Sequence, residues 1–327
     1  MANSWKEWEK PLIEIDEALE KAKQIAKTCA AEERVAAEDK IAMYEVRRDN
    51  IIKVMYSRLG AWEKVLVARA EPRPYALDYI GALFTDFVEL GGDRRYGDDH
   101  AIVGGPAAFE GKPVMVIGQQ KGRNIQERQY RNFGMAKPEG YRKAIRLMDM
   151  ADRFGLPVIC LVDTPAADPG VESESRGISE AIAACIMKMF SLKVPTVSMI
   201  IGEGGSGGAI ALAIGNQVLM QEHAVYSVIP PEGCAAILWR QPGEKAKAAA
   251  ALQLTAQAAS EFGLIDGIIQ EPFGAAHRNW AEAADFVRGA LIGALASFEG
   301  MSGEDLQSHR YDKFRKHGIF GSADLPL

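Results

Sequence analysis

Apolar positions recur at helical spacing through the first seventy residues, at Leu12, Ile15, Leu19, Ala22, Ile25 and Cys29, and again at Ile41, Tyr44, Ile51, Met55, Leu59, Trp62 and Leu66. Residues three and four apart share one face of a helix, so the pattern predicts two amphipathic helices. The charge-rich run from Ala31 to Lys40 lies between them and predicts the turn of a helical hairpin. Glu71-Pro72-Arg73-Pro74 then ends the helical signal, because a residue before proline is pushed out of the α region. We therefore expect an N-terminal helical arm over residues 1–70 and a main domain over 71–327. The arm reads as a packing or subunit-contact element without chemistry of its own.

From Lys112 onward the period changes. Short apolar runs at Val114 to Ile117, Val158 to Val162, Thr196 to Ile201, Val218 to Met220, Val225 to Ile229 and Ile268-Ile269 alternate with helical stretches. Those stretches are Tyr141 to Phe154, Ile178 to Leu192, Glu244 to Phe262 and Trp280 to Phe298. The rhythm is that of an α/β fold. Ligands in open α/β sheets gather beyond the carboxyl ends of strands. The loop Asp163 to Gly170, the glycine run after Ile201 and the segment Tyr226 to Cys234 each follow a strand, and so form three candidate walls of one site.

Composition narrows the class. At 327 residues and 48% hydrophobic content the chain can bury a large core. Its formal charge of -6 and sequence pI near 5.6 argue against a nucleic-acid partner, since no cationic excess is present to displace counterions. Cys29, Cys160, Cys185 and Cys234 are scattered and no histidines cluster, so neither a disulfide framework nor a metal site is encoded. No apolar run approaches the roughly 20 residues of a membrane span, and no cleavable signal peptide is visible. A cytoplasmic protein is expected.

The most informative stretch is Gly202-Glu203-Gly204-Gly205-Ser206-Gly207-Gly208-Ala209, where a β-branched run empties into a turn before a helical stretch. Three chemistries fit it. It matches the dinucleotide fingerprint, with Glu222 near the offset of the ribose-binding acid, yet Asn216 follows only about two helical turns later, too soon for a crossover helix. It also reads as a nucleophile elbow around Ser206, with Asp266 and His277 following in hydrolase order. The third reading is an oxyanion site made of peptide N–H groups, which needs no nucleophile and asks least of the other residues. Outside this run, Cys234 reads as a small buried packing residue and His277 as a structural loop histidine.

Read with their flanks, these loops resemble the α subunits of bacterial acetyl-CoA carboxylase carboxyltransferases. The likeness is carried by Arg73-Pro74-Tyr75, Gly91-Gly92-Asp93-Arg94, Ala101 to Gly105, Arg131-Asn132-Phe133-Gly134-Met135, Pro138 to Ala144, Ile201 to Ala209, Pro231 to Ala235 and Ala276-His277-Arg278. The resemblance implies a crotonase-like spiral of ββα units. It implies transfer of carboxylate from carboxybiotin, presented by a biotin carboxyl carrier protein, to acetyl-CoA to give malonyl-CoA. It further implies a zinc-ribbon β subunit as partner and assembly as a heterotetramer, with no metal and no covalent biotin in this chain. Both the thioester enolate and the ureido oxygen of biotin become anionic in such a reaction, so oxyanion holes matter more than an acid or base. By the resemblance, amides of Gly207, Gly208 and Ala209 face the ureido oxygen. Gly204, Gly205, Pro165, Ala166, Ala167, Asp168, Gly233 and Cys234 are then expected to line the substrate; independently of the resemblance, Lys121 and Arg123 read either as cations for a carboxylate or CoA phosphate or as solvated loop charges.

The chain departs from the family pattern at several points. Ala166 stands where the family has glycine and Asp168 where it has tyrosine, Gln119 replaces a histidine, Pro230 a serine and Ala275 a glycine. Alanine disfavours positive φ and a buried aspartate needs a partner, so these positions bear on which acyl-CoA is used.

Overall fold

The computed structural model describes residues 4–318; the outermost limits of the two expected segments, residues 1 and 327, lie outside them. The hairpin forms from helices Lys10–Thr28 and Ala31–Tyr56, but the chain reverses at the extended residues Cys29 and Ala30. The charged run over 31–40, expected as the turn, is the first part of the second helix. It contains good helix formers and neither Gly nor Pro, so propensity outweighs its polarity. Leu12, Ile15 and Ile52 close the hairpin's small core. The second apolar stretch is also two helices rather than one. Helix Ala61–Ala68 starts after Gly60 and packs Trp62, Val65 and Leu66 against Val225, Ala249 and Leu254 of the main body.

Seven strands build the sheet: β1 Ile102–Phe109, β2 Lys112–Gln119, β3 Val158–Thr164, β4 Thr196–Gly205, β5 Gln217–Gln221, β6 Val225–Ser227 and β7 Gly267–Ile269. Their order is β1-β2-β3-β4-β5-β7, with β6 against β4. Only β1 and β2 pair antiparallel, through a tight turn at Glu110 (φ 47) and Gly111 (φ 74). β1 escaped the apolar-run reading because Gly104, Gly105 and Pro106 interrupt it. β3 is buried on both faces. Val158, Cys160 and Val162 join the core beneath helices Pro138–Phe154 and Ile178–Ser191, while Ile159 and Leu161 join that beneath helices Ala76–Leu83 and Trp280–Ala296. Continuous apolar runs are what a parallel strand buried on both faces requires.

Two further expectations are corrected. The helical stretch 244–262 is broken into Lys245–Ala251 and Ala256–Glu261, because Gln253 is left-handed (φ 50) and the Leu254 carbonyl accepts from the Tyr226 amide at 2.9 Å. The strand from Val225 stops at Ser227, whose hydroxyl donates to the Ile229 carbonyl at 2.8 Å and turns the chain.

β4 is shared. Residues 197–200 pair with β5, whereas 203–205 pair with β6. Between them the β3–β4 register slips, from Val162 opposite Ile200 to Thr164 opposite Gly204. A slip of this kind removes ladder partners from the bulged residues. Arg73 Nε donates to the freed Ile201 carbonyl at 2.7 Å, and the Glu203 amide donates to Asp163 Oδ1 at 2.8 Å. Arg73 is fully buried and also forks onto Glu271, with Nη1 at 2.9 Å and Nη2 at 2.6 Å. This pair locks the start of the main domain to the far edge of the sheet. Burial acting alone would raise the Glu271 carboxyl, but the Arg73 charge holds it down at about 2. Glu271→Gln should leave Arg73 buried without its counter-charge and lower unfolding stability by about 3–5 kcal/mol, read by denaturant melts.

Candidate active site

β4 runs through Gly205, so Gly202, Gly204 and Gly205 are extended strand residues rather than members of the turn. The turn itself is Ser206, with φ 51, followed by a single helical turn over Ser206–Ile210. None of the five glycines in the run is left-handed. Their smallness serves close approach instead. A Cβ on Gly205 would fall inside the Pro165 carbonyl group, one on Gly208 would lie 2.6 Å from the Ala167 nitrogen, and one on Gly204 would lie 2.8 Å from Tyr226 Cδ2. Gly207 differs, since its Cβ would meet nothing nearer than Ile182 at 3.5 Å. A methyl group at this position would make ordinary contact with Ile182 without a clash.

The peptide linking Gly208 to Ala209 is oriented by Gln119. Its Nε2 donates to the Gly208 carbonyl at 2.7 Å, while its Oε1 accepts from the Asp163 amide at 3.2 Å. A planar trans peptide carries its C=O and N–H on opposite sides, so fixing the carbonyl aims the Ala209 N–H the other way. The first amides of a helix have no intrahelical acceptor, and those over 207–209 are therefore available to an oxyanion. Gln119, standing where the family pattern has histidine, is fully buried with both ends of its amide paired.

A charged network lies beside the corner. Lys121 Nζ sits 2.7 Å from Asp163 and 2.9 Å from Glu203, and Arg69 bridges Glu203 and Glu232 at 2.7 Å each. Burial alone would raise the Glu203 carboxyl, but Lys121 and then Arg69 pull it down to about 2. Asp163 moves the other way. Burial raises it, and the single Lys121 charge, shared with Glu203, does not outweigh that. Lys121 is thus held protonated by two carboxylates and is not a free cation waiting for substrate. A cavity of about 220 Å³ opens above the network, lined by Arg69, Tyr75, Lys121, Arg128, Phe133 and Pro165. The adjoining cleft is lined by Pro165, Gly204, Gly205, Ser227, Ile229 and Pro230. The loops after β3, β4 and β6 therefore meet.

The other expected residues divide. Thr164 Oγ1 accepts from the Ala166 amide at 3.3 Å and Ala166 lies outside the left-handed region, so alanine fits there without strain. Ala167 packs its backbone on Gly208. Asp168 accepts from the Ser173 hydroxyl, which ties the loop to helix Val171–Ser175. Gly233 and Cys234 lie within helix Pro231–Trp239, with Cys234 buried against Ala235 and Ala248. Arg123 is spent on the chain itself: it donates to the Glu71 carbonyl at 2.8 Å, pairs with Asp78 and lies over the rings of Tyr75 and Trp280. The hydrolase constellation is not assembled. Asp266 is held by the Val218 amide and Lys313, and His277 Nε2 meets Glu9 at 2.9 Å. Arg69, Asp163 and Glu203 went unread, although acids at the ends of β3 and β4 beside a lysine after β2 were a visible signal.

Comparison with known proteins gives the family and the fold. Residues 5–318 match the family model described as acetyl co-enzyme A carboxylase carboxyltransferase-like. The chain is 49% identical over 314 residues to the acetyl-coenzyme A carboxylase carboxyl transferase subunit alpha of Geobacter metallireducens, covering 96% of this chain and 97% of that one. It is 47% identical to the protein of the same name from Bordetella pertussis, covering 98% of each. Among solved structures it is similar to transcarboxylase 12S with methylmalonyl-coenzyme A bound (TM-score 0.56, 20% identity, 69% of this chain and 42% of that one). It is also similar to a chain of a Pseudomonas malonate decarboxylase hetero-tetramer in complex with coenzyme A (TM-score 0.56, 20% identity, 72% of this chain and 91% of that one). The fold is the expected α/β crotonase-like one.

Glycine size is tested by two substitutions. Gly205→Ala should abolish folding or cost more than about 3 kcal/mol, because backbone blocks the new methyl, whereas Gly207→Ala should change stability by less than about 1 kcal/mol; thermal melts separate them. The network makes a pH prediction. Glu203 has its folded-state pKa well below the unfolded value of 4.5, so its stabilising contribution is full above that value and is lost as pH falls toward about 2. Asp163, shifted upward, opposes this. Glu203→Gln should cost about 3 kcal/mol at neutral pH and flatten the acid limb of a stability–pH curve.

Proposed function

The chain belongs to the acetyl-coenzyme A carboxylase carboxyltransferase-like family, and we propose that it is the α subunit of a biotin-dependent carboxyltransferase that converts acetyl-CoA to malonyl-CoA. The observation that carries this reading is a corner of oriented backbone amides with no nucleophile–base pair beside it. Such a corner suits chemistry in which an oxygen becomes anionic and the protein need only stabilise it.

The residues fit a biotin ring. The corner presents amides over 207–209, Gly207 has only Ile182 near its absent side chain, and the cleft beside it is walled by Pro165, Ile229 and Pro230. When bound, carboxybiotin supplies the carboxylate and a ureido oxygen that takes up charge as the carboxylate leaves. Gly207, Gly208 and Ala209 amides stabilise that oxygen, Gln119 keeps the last of them aimed, Gly205 and Gly208 let the β3 loop close over the corner, and Gly204 admits the Tyr226 ring. Losing one such donor typically raises a barrier by about 2.7–4 kcal/mol. Lys121 sets the relative position of β3 and β4 through Asp163 and Glu203 rather than gripping substrate.

The expected partners are a β subunit of the zinc-ribbon type, which would grip most of the CoA, and a biotin carboxyl carrier protein. Assembly as a heterotetramer in the cytoplasm completes the reading, with residues 1–70 as a contact arm. Among the described residues no helix is long and apolar enough to cross a membrane.

Co-expression with the genomic β partner and assay of malonyl-CoA-dependent carboxylation of biocytin tests this directly. Turnover is expected, and turnover only with another carboxyacyl-CoA would make the chain a paralogue. Ser206→Ala should retain activity within about tenfold, whereas a nucleophile would lose about four to six orders of magnitude. Because Ala166 and Asp168 are accommodated locally, the double change Ala166→Gly with Asp168→Tyr should leave acyl-CoA preference unchanged; a switch in preference would make that loop its determinant.

A further inference from the structure

Three consecutive residues, Asn132 (φ 46), Phe133 (φ 56) and Gly134 (φ 77), lie in the left-handed region. Glycine enters it freely and asparagine tolerates it, but a bulky L residue such as phenylalanine is strained there. The surroundings enforce the turn. Asn132 Nδ2 donates to the Met135 carbonyl at 2.7 Å, the Gly134 amide donates to the Arg131 carbonyl at 2.9 Å, and Thr164 Oγ1 donates to the Gly134 carbonyl at 2.7 Å. The Lys121 stem leaves no room for a side chain at Gly134, whose Cβ would lie 2.8 Å from Lys121 Cγ. Strand-end residues of the site thus clamp the turn on both sides.

This strain is not offset by burial, since the Phe133 side chain is 48% exposed and belongs to none of the hydrophobic clusters. Phe133 lines the same cavity as Tyr75 and Pro165, beside the paired charges of Arg69, Lys121 and Glu203. Strained residues with exposed side chains persist where the strain places a group for use. An apolar wall of this kind suits the face of a compact ring.

We propose that Phe133 is a positioning residue, whose ring packs on the face of the carboxylated biotin ring as it approaches the glycine corner. This rests on the carboxyltransferase reading above. The assay is malonyl-CoA-dependent carboxylation of biocytin by the assembled complex, with Phe133→Gly and Phe133→Tyr beside wild type. Phe133→Gly relieves the left-handed strain while removing the ring, so its melting temperature should equal or exceed that of wild type. Its KM for biocytin should rise about tenfold, the effect of one lost ring contact, with KM for malonyl-CoA changed by less than about twofold. Phe133→Tyr should restore the biocytin KM. An unchanged biocytin KM, an equal rise in the malonyl-CoA KM, a lowered melting temperature or failure of the complex to assemble would each overturn the role of the ring. A wild-type complex with no turnover would instead refute the carboxyltransferase reading, and this inference with it.

Discussion

Everything at this site depends on two stretches of backbone lying against each other with no side chain between them. The loop after β3, from Pro165 to Ala167, rests directly on Gly205 and Gly208 at the end of β4. Two main chains approach this closely only where Cβ atoms are absent, which is why glycines repeat here although none of them is left-handed. The closeness determines what the corner can do. With side chains excluded, peptide N–H groups become the chemistry, and one tightly buried glutamine suffices to aim the last of them.

Charge holds that approach in register. The slip between β3 and β4 frees backbone groups in the middle of a buried sheet, and each is answered by a buried polar side chain: Arg73 at Ile201 and Asp163 at Glu203. These groups are tied in turn to Glu271 and to Lys121. Isolated buried charges are costly, whereas paired and hydrogen-bonded ones specify a geometry. The same device anchors the N-terminal arm. Burial pushes the Glu9 carboxyl up, yet His277 and then Arg278 and Tyr56 outweigh it and leave Glu9 below its ordinary value. His277, one candidate member of a hydrolase triad, is therefore a latch between the two ends of the chain.

The sheet was legible because buried parallel strands must be largely apolar, and the centres of β2 through β5 are. β1 was not, since its glycines and proline answer to neighbours that a one-dimensional pattern does not contain. The arm's helices were legible from spacing, but their turn was not, because the charge-dense run over 31–40 looks like a loop and yet consists of good helix formers. The glycine corner was legible as a backbone site, although its glycines answer to contact rather than to φ. Lys121 and Arg123 looked like free cations because their partners come from segments far away in sequence, Asp163 and Glu203 for one and Asp78 for the other. The strain at Phe133 had no sequence signal beyond the glycine that follows it.

The central claim is that backbone amides, and not side chains, take up the charge that develops in the reaction. A crystal structure of the complex of this chain and its β partner with biocytin bound tests it most directly. The account predicts the ureido oxygen within about 3 Å of at least two of the amides of Gly207, Gly208 and Ala209. A ureido oxygen seated instead on a side chain such as Lys121 or Ser206, with those amides turned away from it, would contradict it.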